Sequence, residues 1–106
     1  MDISGIRYVK DNRPIFTTGK REEAKKMLLD FFAKNEGKVK GFTGYLVLDS
    51  LSDDREEVVL TFWSSKGDMD SFYSSKTFAS FVGKGKQLFD SPPERKDMSV
   101  VDFKIG

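Results

Sequence analysis

Hydrophobic and polar positions along the chain change period from segment to segment, and each change marks an element. Within Ile6 to Thr17, apolar Ile6, Tyr8, Val9, Ile15 and Phe16 interleave with charge, the pattern of an extended segment. Pro14 removes one ladder donor there and predicts a bulge or strand break near Asn12-Arg13-Pro14. Thr18-Gly19-Lys20 ends the segment, and Glu22-Glu23 then put acid where a helix dipole favours it. Ala24, Met27, Leu28, Phe31 and Phe32 follow at three- and four-residue spacing, so this helix lays one face on a sheet, with Gly37 as its expected C-terminal cap.

Gly41-Phe42-Thr43-Gly44 leads into the strand Tyr45–Asp49, and the acidic turn Ser52–Glu56 joins it to Glu57–Trp63, which predicts an antiparallel hairpin. Ser64-Ser65 caps a second helical region, where Met69, Phe72, Tyr73, Phe78, Phe81 and Leu88 recur at helical spacing. Ser74-Ser75, Gly83 and Gly85 interrupt it, which predicts two short helices. Asp90-Ser91-Pro92-Pro93-Glu94-Arg95-Lys96 reads as a loop, and Met98–Ile105 as a closing strand with Val101, Phe103 and Ile105 on one face.

This order predicts an α+β fold of ferredoxin-like βαββαβ form, an antiparallel sheet with helices on one face. One domain over residues 1–106 is expected, because a chain of this length has nothing left for a second core. Trp63 and Tyr45 are expected on the uncovered sheet face, which a second copy of the sheet would bury in a homodimer.

Composition narrows the chemistry. Lys and Arg number 18 against 17 Asp and Glu, spread evenly, so no basic stripe exists to follow a phosphate backbone and no nucleic-acid partner is expected. Cysteine and histidine are both absent, which removes the thiolate nucleophile, Cys-based metal sites and the commonest neutral-pH base and haem ligand, so no metal site is expected. Met1-Asp2-Ile3-Ser4-Gly5 lacks a signal-peptide pattern and no apolar run would span a bilayer, so the expected location is cytoplasmic, away from the membrane. The carboxylates Asp53, Asp54, Glu56 and Glu57 read as a solvated hairpin tip. Gly83-Lys84-Gly85-Lys86 lacks the strand and spacing of a phosphate-binding loop.

Gly41-Phe42-Thr43-Gly44, the strand end Val59–Ser65, and Phe72-Tyr73-Ser74-Ser75-Lys76-Thr77-Phe78 together resemble the antibiotic-biosynthesis-monooxygenase superfamily, whose members pair as dimeric α/β barrels. The resemblance covers most of residues 12 to 82. Within it, Asn12-Arg13 is similar to the Asn-Arg of the haem-degrading monooxygenases of the staphylococcal type, where the Asn amide serves the distal haem ligand. That family's Trp and His positions hold Phe72 and Val82 here, and valine has no lone pair for iron. Tyr73 or Met69 would have to replace the imidazole, or Lys84 or Lys86 after losing a proton.

Other superfamily members oxygenate flat aromatic compounds with no metal or flavin, the substrate supplying the electrons. The resemblance thus implies a cofactor-independent monooxygenase for a small hydrophobic or quinone-like compound, with Asn12 as catalytic residue and Arg13, Trp63, Phe72, Tyr73 and Val82 as substrate-binding ones. A haem-binding relative with altered ligation, and a non-catalytic dimer that binds a ligand or a partner, are the alternatives. For Asn12 the competing role is a turn amide that satisfies local backbone, and for Trp63 it is dimer-interface packing.

Overall fold

The structure, a computed structural model, describes residues 5–106. Residues 1–4, part of the stretch read above for a signal peptide, lie outside it.

Strand β1 (Tyr8–Phe16) is followed by helix α1 (Arg21–Lys34), strands β2 (Phe42–Asp49) and β3 (Glu57–Trp63), helices α2 (Lys66–Tyr73) and α3 (Lys76–Gly85), and strand β4 (Phe89–Ser99). The strands form one antiparallel sheet in the order β2-β3-β1-β4. This is the ferredoxin-like α+β arrangement, with β1 inside and β4 at an edge. No helix among the described residues is long and apolar enough to cross a membrane.

Local chemistry explains the boundaries. Glu22 and Glu23 occupy the first turn of α1. The helix closes on Asn35, whose Nδ2 donates to the Phe31 carbonyl at 2.8 Å, two residues before the expected cap; Gly37 instead takes φ +72° in the turn that follows. The amides of Asp68 and Phe78 donate to the hydroxyls of Ser65 and Ser75. The two N-caps make α2 and α3 separate helices, as the Ser74-Ser75 interruption predicts.

The last strand departs from the sequence reading. β4 begins at Phe89 and takes in the Pro92-Pro93 stretch read as a loop, while Val101 and Ile105 lie beyond its end, largely exposed. Prolines are tolerated because β4 is an edge strand, and because its register on β1 shifts between Arg13 and Phe16, opposite Pro14. The bulge predicted at Asn12-Arg13-Pro14 is therefore matched by prolines on the neighbouring strand.

Phenylalanine rings stack between helices, between strands, and between helix and sheet. Phe31 stacks on Phe81 with ring centroids 4.2 Å apart, Phe32 on Tyr45 at 4.1 Å, and Phe16 on Phe89 at 5.4 Å. Each such pair contributes roughly 0.5–1.5 kcal/mol beyond the area it buries.

Strand alternation also corrects the expected outer face. Tyr45 registers with Thr61, and both face the helices, as does Trp63, which is fully buried. The uncovered side instead carries the other set of strand residues, with Leu46, Leu48 and Met98 exposed and Phe103 packed edge-on against Phe62.

Candidate functional site

A cavity open to solvent lies between the inner face of the sheet and the three helices. Phe31, Phe72, Phe78 and Phe81 give it aromatic walls, and Val82 on α3 adds an aliphatic patch. Its few polar groups come from the sheet and from the end of α2, which suits a flat apolar ligand fixed by a small number of hydrogen bonds.

Arg95, Asn12, Tyr73 and Thr61 form one connected row. Asn12 faces inward on β1, where it registers with Val59 on one side and Arg95 on the other. Its Nδ2 donates to the Val59 carbonyl at 2.9 Å and lies 3.1 Å from the Lys10 carbonyl and 3.3 Å from the Tyr73 hydroxyl. An amide NH2 has two hydrogens for these three acceptors, so the backbone holds the group whether or not Tyr73 takes one. Asn12 thus sits in a strand and not in a turn, and its side chain both satisfies backbone carbonyls and lines the cavity.

Arg95 fixes the other end of that amide, donating from Nε to Asn12 Oδ1 at 3.1 Å while its guanidinium lies over the Phe78 ring. The Tyr73 hydroxyl lies 2.9 Å from Thr61 Oγ1, which accepts from Trp63 Nε1 at 2.9 Å. Burial raises the Tyr73 pKa, against the opposing pull of its hydrogen bonds to Thr61 and Asn12, so the phenol stays protonated at neutral pH and can donate. At the rim, Lys10 pairs with Asp97 at 2.6 Å and lies over the Tyr73 ring.

Of the residues chosen from sequence, Asn12, Phe72, Tyr73 and Val82 converge on this cavity. Trp63 sits behind its wall and reaches it through Thr61. Arg13 points to the opposite side of the sheet, largely exposed and 3.2 Å from Asp11 Oδ1, because strand alternation turns it away from Asn12.

Three polar residues escaped the sequence reading. Arg95 was hidden in the apparent loop, and Thr61 reveals itself only through its register two positions before Trp63. Glu57 corrects the solvated-tip reading most sharply, since it is 2% exposed, lines the cavity and has Oε2 buried without a protein hydrogen-bond partner. Its alternation with Val59 and Thr61 was the available signal. Burial first, and the neighbouring Asp49 next, push its pKa up to about 8. In a chain without histidine this is a titrating group near neutral pH beside an apolar pocket.

The same geometry bears on haem. Val82 offers iron nothing, burial keeps the Tyr73 phenol from ionising to a ligating phenolate, and Met69 is fully buried and does not line the cavity. These three residues do not fit axial ligation from the cavity wall. No group of three or more acidic residues among those described could hold a metal ion.

No protein-family model matches the chain, and no curated protein matches it by sequence. Solved structures do match. One described as a "Putative antibiotic biosynthesis monooxygenase" from Nitrosomonas europaea aligns over 92% of each chain with a TM-score of 0.79 at 14% identity. A second of that description, from Bordetella bronchiseptica, aligns over 91% of this chain and 98% of its own, with TM-score 0.79 at 13% identity. A third, from Chloroflexus aurantiacus, covers 92% and 96%, with TM-score 0.74 at 16% identity. Over nearly its whole length, then, the chain has the fold of solved proteins described as antibiotic biosynthesis monooxygenases, as its motifs led one to expect.

Proposed function

We propose that this protein is a small cofactor-independent monooxygenase acting on a flat phenol or quinol-like compound held in the aromatic cavity. The observation that carries the reading is Glu57, a buried carboxyl with a free oxygen in a pocket walled by phenyl rings. The descriptions of proteins with the same fold lend it support.

The roles follow from the chemistry of each group. In its ionised form, which a pKa of about 8 makes a minor fraction at neutral pH and the major one above pH 8, Glu57 takes a proton from an acidic C–H of the substrate. The Tyr73 hydroxyl and the Arg95 guanidinium stabilise the resulting oxyanion, and Asn12 orients both. The substrate anion passes its electrons to dioxygen and a carbon–oxygen bond forms. Glu57 returns its proton to the peroxide. The hydroperoxide then loses the remaining C–H proton together with hydroxide, as water, which breaks the O–O bond and leaves one oxygen atom in the product as a carbonyl. No outside reductant enters this balance, and the phenyl walls keep water from the reactive anion.

We also propose that the chain works as a homodimer joined through the uncovered sheet face, whose Leu46, Leu48 and Met98 are exposed.

Titration with 1,8-dihydroxyanthrone, followed by tryptophan and tyrosine fluorescence and then by oxygen uptake, tests the proposal. Saturable quenching followed by oxygen consumption that exceeds the uncatalysed rate is expected. Absence of saturable binding would end the reading.

A further inference from the structure

We propose that Glu57 and Asp49 hold one proton between them across the β2–β3 ladder, at the gap beside Pro14 where Glu57 lines both the aromatic cavity and a groove on the far side of the sheet. The inference rests on the reading of Glu57 as the cavity base and specifies how that base is held, with Asp49 as its positioning residue.

Four observations meet here. Asp49 and Glu57 are direct register partners, so their side chains emerge on the same face. Asp49 Oδ1 and Glu57 Oε2 are both buried without a protein hydrogen-bond partner. Two facing carboxylates would repel and leave both oxygens orphaned, whereas one proton turns two acceptors into a donor and an acceptor.

The charges around the pair decide which acid keeps that proton. On α1, Lys25 Nζ bonds Asp49 Oδ2, and Arg21 Nε lies 3.7 Å from Asp49 Oδ1. These cations hold Asp49 ionised, and with Glu57 they outweigh the burial that works against its charge, so its pKa is lowered. Glu57, more deeply buried, is the acid that stays protonated. Arg13, Glu56 and Glu94 are the other charged residues of the groove and lie on the opposite face of the sheet from the pair's side chains.

The fourth observation is the shared wall. Among the described residues, Pro14 and Glu57 alone line both the cavity and the groove, and Asp49 lines the groove. The β1–β3 ladder stops at Asn12–Val59 and resumes only at the isolated Ile15–Glu56 bridge, because Pro14 has no N–H to give.

Carbon-13 NMR of the side-chain carboxyls, recorded on the full chain without ligand from pH 4 to 10, tests this. The Asp49 signal is expected to inflect a second time at the Glu57 midpoint, as a coupled pair requires. Asp49→Asn is expected to lower the Glu57 midpoint by about one pH unit or more, because it removes the acceptor and the like charge that raise it. A Glu57 midpoint unchanged in Asp49→Asn would overturn the proposal, as would an Asp49 signal in the unmodified chain with no inflection in the Glu57 range. The second readout stands even where the variant fails to fold. Neither depends on turnover, so a failure here and a failure of the oxygenase reading are separate results.

Discussion

Arg95 and Asn12 are direct partners across the β1–β4 register, and Arg95 Nε donates to Asn12 Oδ1 at 3.1 Å. That bond fixes which way the amide points, and so where its NH2 lies relative to Tyr73. Arg95→Met keeps the apolar stem and removes the donor. It is expected to cost about 1 kcal/mol of stability, since one partly exposed hydrogen bond is lost, and to weaken dihydroxyanthrone binding roughly tenfold. Urea unfolding and fluorescence titration measure the two effects separately.

Glu57 gives stability a definite dependence on pH. The native protein keeps the Glu57 proton up to about pH 8, whereas the unfolded chain releases it near 4.5. Between these values the native state binds more protons, so the contribution of Glu57 falls as pH rises. Glu57→Gln, which cannot ionise, is expected to match the unmodified Tm at about pH 4, below the unfolded value, and to exceed it by roughly 4 °C or more at about pH 9. Thermal unfolding at the two pH values checks this.

Gly41 stands at the entry to β2 with φ +79°, and a Cβ there would lie 2.6 Å from Asp68 Cβ in the first turn of α2. Backbone strain and steric overlap act together, so Gly41→Ala is expected to lose about 2 kcal/mol by urea unfolding. Gly37→Ala provides the comparison, since its φ of +72° is similar but nothing lies within 4 Å of the added carbon. It is expected to lose less.

On the uncovered sheet face, Leu46→Asp introduces a charge where the proposed dimer would bury it. Light scattering at micromolar concentration is expected to give a dimer for the unmodified chain and a monomer for the variant. An unmodified chain that is monomeric would remove the assembly.

Much of the fold was legible because period and punctuation coincide. The Ala24, Met27, Leu28, Phe31 and Phe32 stripe defines α1, and Ser65 and Ser75 cap the next two helices. β4 was misread because prolines weigh against a strand until its edge position and the bulge opposite Pro14 are known. The site was legible in half. Asn12, Phe72, Tyr73 and Val82 carry residue types or motif positions that draw attention. Glu57 looked like its solvated neighbours, and only the register that turns it inward beside Val59 and Thr61 reveals a buried acid. Local sequence does not state which face of a strand will be covered.

The most direct test of the central claim is oxygen-18 incorporation from labelled dioxygen into dihydroxyanthrone, compared between the unmodified protein and Glu57→Gln. One labelled oxygen atom per product, formed at a rate that falls by about 10²-fold or more in Glu57→Gln while binding is retained, is the predicted result. Unlabelled product, or equal rates for the two proteins, would contradict the account and leave a ligand-binding domain with an aromatic pocket.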